Sequence, residues 1–103
     1  MFRLTAVQPA AEVLMLQFNS APDPQQDLAA LQQWLMQLPN TSGWQTEQHL
    51  DLCQIRFYLA GQPFMLSVEH YSASCWIEAG SAAAFLLMSD LAQLLQQNIC
   101  YDS

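Results

Sequence analysis

Residues 64–78, FMLSVEHYSASCWIE, alternate apolar and polar side chains, break at a short serine-containing turn and resume the alternation. A period of two marks half-buried β-strands. The segment before it, residues 52–59, alternates too, with Cys53, Ile55, Phe57 and Leu59 on one face and Gln54, Arg56 and Tyr58 on the other. Residues 60–63 (AGQP) supply the hairpin connection, and Phe64, Leu66 and Val68 then share the core face with the preceding strand. After a turn at residues 71–74, a strand at 75–78 closes the meander. Nearer the start, residues 2–7 alternate weakly up to a turn at 8–11. Residues 13–18 (VLMLQF) are almost continuously apolar, as in a strand in the middle of a sheet. These two segments pair as a hairpin.

Two stretches change period. Leu28, Leu31, Leu35 and Leu38 recur at helical spacing with Trp34 beside them, and glutamines fill the other side. Asp23 is the expected N-cap, Pro24 takes the first helical position, Gln26 follows as in a capping box, and Pro39 ends the helix. Ala84, Leu87, Met88, Leu91, Leu94 and Leu95 draw a second stripe, with Ser81 as its N-cap and a tail that frays from Asn98. Residues 44–50 fit either a short strand or an irregular lead-in. The chain is therefore expected to be one α+β domain, residues 1–103. Its mostly antiparallel sheet has five or so strands with two helices on one face, in the order strand, strand, helix, three strands, helix.

Composition narrows the function. Hydrophobic residues make up 52% of 103 residues, enough for a core that buries roughly two-thirds of the unfolded surface without disulfide staples. The formal net charge is −7, lysine is absent, and Arg3 and Arg56 are the only permanent cations. Nucleic-acid binding needs several basic side chains to displace counterions, and an anionic membrane would repel this chain. Neither is an expected partner. Cys53, Cys75 and Cys100 are odd in number and show no C-x-x-C spacing, which reads as reduced thiols in the cytoplasm. Pro9 and Glu12 interrupt the apolar start, so no signal-peptide core is expected there.

Two faces could carry chemistry. If Leu59 opposes Phe64, then Cys53 opposes His70, and a two-residue turn at Ser72 and Ala73 puts Cys75 opposite His70 as well. Cys53, His70 and Cys75 then form a row whose thiolates and imidazole suit zinc. The plainer alternative is a buried core edge in which cysteine acts as a small hydrophobe, and the missing fourth ligand favours it. No metal or cofactor is expected.

On the opposite face the same register sets Tyr58 against Met65, Arg56 against Ser67, Gln54 against Glu69, Glu69 against Trp76, and Ser67 against Glu78. Arg56 would lie among acids. Aromatics, methionine and arginine are enriched at interfaces, so Arg56, Tyr58, Met65, Glu69, Trp76 and Glu78 are the candidate contact residues. A merely solvated face is the competing account. Glu69, Glu78, His70, Ser72 and Ser74 offer acid–base or nucleophile types, but no nucleophile elbow, phosphate loop or H-E-x-x-H motif accompanies them. The expected function is a non-enzymatic domain that contacts another protein or itself, and the alternative is a small-molecule or metal-binding domain.

The run F-x-L-x-V-E-x-Y-S-x-S-C-W-I-E at residues 64–78, followed by a closing helix, resembles a family of small bacterial proteins of about this length that is described only as a domain of unknown function. The resemblance implies a stand-alone cytoplasmic protein and brings no activity, cofactor or catalytic residue.

Overall fold

The computed structural model describes the backbone of residues 3–101 and the side chains of residues 3–97. Its elements are β1 (Leu4–Ala10), β2 (Val13–Phe18), α1 (Leu28–Leu35), β3 (Thr41–Gln48), β4 (Leu52–Leu59), β5 (Gln62–Glu69), β6 (Ser74–Ala79), α2 (Ala82–Phe85) and α3 (Met88–Tyr101). The strands form one antiparallel sheet in the order β1-β2-β6-β5-β4-β3. The α+β class and the N-terminal hairpin match the apolar pattern.

Two details of the strands differ from it. The sheet has six strands, because β3 pairs with β4 from Thr41 to Gln48, a polar segment whose alternation is too weak to announce a strand. β1 runs through Gln8, Pro9 and Ala10, so the chain reverses only at Ala11 and Glu12, with Ala11 at φ 55°. Phe2, where that strand was expected to begin, lies outside the described residues.

Both helices are also interrupted. Asp23 does cap a turn, its Oδ1 accepting from the Gln25 and Gln26 N–H at 2.8 and 3.1 Å, which holds its carboxyl below the usual carboxylate range. That turn is not the helix. Asp27 sends its own carboxylate back to the Asp23 N–H at 2.7 Å and sits at ψ 4°, so α1 restarts at Leu28. It ends at Met36 rather than Pro39, in a tightened turn where the Leu38 N–H reaches the Leu35 carbonyl at 3.0 Å.

Ser81 caps α2 as expected, accepting from the Ala84 N–H at 3.0 Å. The stripe then breaks at Leu86 and Leu87, where the Leu87 N–H bonds the Ala84 carbonyl at 2.9 Å before α3 begins. The backbone of α3 continues through Asn98, where fraying was expected, to Tyr101.

Leu31 and Leu35 of α1, Ala84 of α2, and Met88, Leu91 and Leu95 of α3 join the inward strand residues in one core. Those strand residues include Leu14, Leu16, Cys53, Ile55, Phe57, Phe64, Leu66, Val68, Cys75 and Ile77. Burying a leucine-sized side chain stabilises by roughly 1.5–3 kcal/mol, and this cluster is what holds the helices to the sheet. All of it lies on one side. Among the described residues, no helix covers the other face of the sheet.

Candidate functional site

Turn chemistry sets the register on that uncovered face. Ala60 and Gly61 both have positive φ, 51° and 80°, which makes a two-residue hairpin turn of the kind matched to strand twist. Leu59 therefore pairs with Gln62, not Phe64, and every later partner moves by two residues. At the next reversal Glu69 pairs with Ser74 across residues 70–73, with Ala73 at φ 52°. A slip of two preserves which face each side chain occupies. It changes only the neighbours.

One row across the open face now reads Gln8, Met15, Trp76, Ser67, Gln54, Glu47, and the next reads Ala10, Val13, Glu78, Met65, Arg56, Gln45. The expected pairs on this face are all corrected. Tyr58 faces Pro63, Arg56 faces Met65, and Trp76 and Gln54 flank Ser67.

Arg56 finds its carboxylate on the edge strand instead of on Glu69 or Glu78. Its Nη2 lies 3.6 Å from Glu47 Oε2, which His49 Nε2 approaches at 3.7 Å. All three side chains are about half exposed, so each pair is worth about 0–1 kcal/mol. Glu69 accepts from the Ser72 hydroxyl at 2.9 Å. Glu78 is half-buried and has no hydrogen-bond or ion-pair partner among the described residues.

The centre of the face is closed rather than open. Ser67 is fully buried between Trp76 and Gln54, and its hydroxyl has no hydrogen-bond partner among the described residues. At one end the surface opens into a cleft of about 320 Å³ lined by Gly43, Arg56, Tyr58, Met65, Glu78 and Gly80. Tyr58 is 44% exposed, and its ring lies directly over Gly43.

Gly43 sits at φ +67° inside the bulge that shifts β3 against β4. The Gly80 N–H bonds the Pro63 carbonyl at 2.9 Å, drawing the end of β6 against β5. Four of the six expected contact residues thus share one cleft, while Glu69 and Trp76 stand outside it. Gly43 and Gly80 were missed, although Gly43 lies inside a strand, where a glycine is itself a signal of a bulge or a close approach.

The Cys53, His70 and Cys75 row does not form. Both cysteines pair with Val68, so the row is Cys53, Val68, Cys75, all buried in the core. His70 lies exposed in the reversal beyond the strand. No group of three or more His, Cys, Asp or Glu side chains able to hold a metal occurs among the described residues. Ser74 donates to the Ser72 carbonyl at 3.3 Å and Ser72 donates to Glu69, so both hydroxyls serve the turn.

Burial pushes the Cys53 thiol up to about 11, with the Asp23 charge adding to it, and pushes Cys75 higher still. Only about a thousandth of Cys53 is thiolate at pH 8. In native protein at that pH, iodoacetamide is expected to leave Cys53 and Cys75 unmodified, and both should react in urea, as peptide mass spectrometry would read. Both thiols titrate higher folded than unfolded, so their contribution to stability is complete below the ordinary thiol value of 9.0 and declines as pH rises toward 11. Rapid native alkylation of either would contradict the burial.

Fold and surface together define a class: a small α+β protein with a six-stranded antiparallel sheet covered on one side. The chain belongs to a family of proteins of unknown function, DUF3630, whose model matches residues 2–96. No curated protein and no solved structure matches. Among the described residues, no helix is long and apolar enough to cross a membrane.

Proposed function

We propose that the protein is a non-enzymatic interaction domain that contacts another protein, or a second copy of itself, through the uncovered sheet face. The observation that carries this reading is the cleft of about 320 Å³ at the end of that face, where half-exposed Tyr58 stands beside Met65, Arg56 and Glu78. Aromatic, methionine and arginine side chains around a concavity are what protein interfaces favour at their centres.

The sheet edges support contact by the face. Strand edges recruit other strands unless something blunts them. β1 carries Pro9, which has no N–H, and a register shift between Leu4 and Ala6. β3 carries the shift between Ser42 and Gln45 and the charged Glu47. A register shift on each outer strand, with the proline of β1 and the charge on β3, disfavours strand addition. The reduced, buried thiols fit a cytoplasmic setting.

The test is solution mass by light scattering after size exclusion, together with pull-down from lysate, on wild type, Tyr58→Glu and Trp76→Glu. A dimer that Tyr58→Glu splits, or a captured partner that either substitution loses, is the expected result. A monomer whose captured proteins are the same with and without both substitutions would overturn the reading.

A further inference from the structure

A second and larger cleft, about 820 Å³, opens where the β1–β2 turn and the end of β6 meet α2. Its apolar lining includes Val13, Ala83, Phe85 and Leu86, and its charged groups are Glu12 and Glu78. Phe85 is 47% exposed and Leu86 80% exposed. Phe85 closes α2 and Leu86 follows as its C-cap, and both lie off the stripe of Ala84, Leu87, Met88 and Leu91 that packs against the core. Among the described residues, no cation lines the cleft. Glu78, which borders both this cleft and the smaller one, has no partner for its carboxylate among the described residues.

We infer that this cleft docks a basic amphipathic segment of a partner protein, with a lysine or arginine reaching Glu12 and Glu78 and an apolar side chain resting on Phe85 and Leu86. The inference rests on the reading that the chain acts by protein contact, and it names the chemistry of the partner. Charge complementarity selects the occupant. A second copy brings a net charge of −7 and only two arginines, and one of them, Arg56, is already beside Glu47. A positively charged segment gains long-range attraction to the whole molecule and a close partner for each carboxylate.

Fluorescence anisotropy with a labelled peptide of lysines and leucines, titrated with the full chain, tests it. Glu78→Gln and Leu86→Ser are each expected to weaken binding about tenfold, the loss of one charge-assisted or apolar contact. Asp90→Asn removes an equal charge from an exposed position on α3 outside the cleft and should leave affinity unchanged. A peptide with serine in place of leucine should bind at least tenfold more weakly.

No binding to wild type overturns the inference. So does equal weakening by Asp90→Asn and Glu78→Gln, which is general attraction to an acidic protein, or a peptide that binds as well with serine. A dimer that Leu86→Ser splits overturns the choice of occupant. Tyr58→Glu separates the two proposals: unchanged peptide affinity there leaves this cleft acting alone. Loss with Tyr58→Glu but not with Leu86→Ser rejects this cleft and spares the smaller one.

Discussion

Phe57→Ala is expected to lower the free energy of unfolding by about 3–5 kcal/mol. Phe57 is 1% exposed and stacks between Trp44, at 4.9 Å and 16°, and Phe64, at 5.8 Å and 20°. This aromatic stack ties the polar edge strand β3 to β4 and, through Phe64, to β5. Deleting the ring removes both contacts and leaves a void, because neighbouring strands held by their hydrogen-bond ladder cannot close on it. A domain of this size has only about 5–15 kcal/mol to lose. Urea unfolding followed by circular dichroism measures the loss, and a red shift of tryptophan emission reports Trp44 turning toward water. A change under about 1 kcal/mol would mean that the site collapses around the alanine and that the stack is not what anchors β3.

Gly43→Ala should cost about 1–2 kcal/mol from the left-handed backbone alone. A Cβ there would come within 2.5 Å of Tyr58 Cδ2 and 2.9 Å of Cε2, so the ring must also leave its place. Gly61→Ala provides the matched control. Gly61 has φ +80° and nothing within 4 Å of an added Cβ, so it carries the backbone cost without the collision. Thermal melts of both variants should show the larger loss for Gly43→Ala, and only Gly43→Ala should alter contacts that depend on Tyr58. Equal melting points would show that the exposed ring swings aside without cost. The comparison isolates the support that one glycine gives to the smaller cleft.

Gly43 was within reach of sequence reasoning, since a glycine in a β3 segment of eight residues announces a bulge. Its contact with Tyr58 was not, because the two are fifteen positions apart and meet only across a ladder whose register is irregular. The Cys–His–Cys row failed for a similar reason. Its face assignment for the cysteines was right and its pairing was two residues off, because Ala60 takes positive φ although alanine gives no sign of it. The break at Leu86 and Leu87 has no glycine or proline to mark it. Asp27 looks like an ordinary helix-start residue, yet its carboxylate closes a turn back onto Asp23.

The alternation of apolar and polar residues determined by itself the α+β class, the strands around Ile55, Leu66 and Ile77, the inward face of each, and the leucine stripes of the helices. Those features depend on a period of two or 3.6, which any local window of the chain displays. Only the tertiary structure decided the cross-strand neighbours, the placing of Arg56 beside Glu47, and the two clefts that share Glu78. Each of these depends on backbone torsions at a few turn residues and on how distant segments pack. Side-chain periodicity is blind to both.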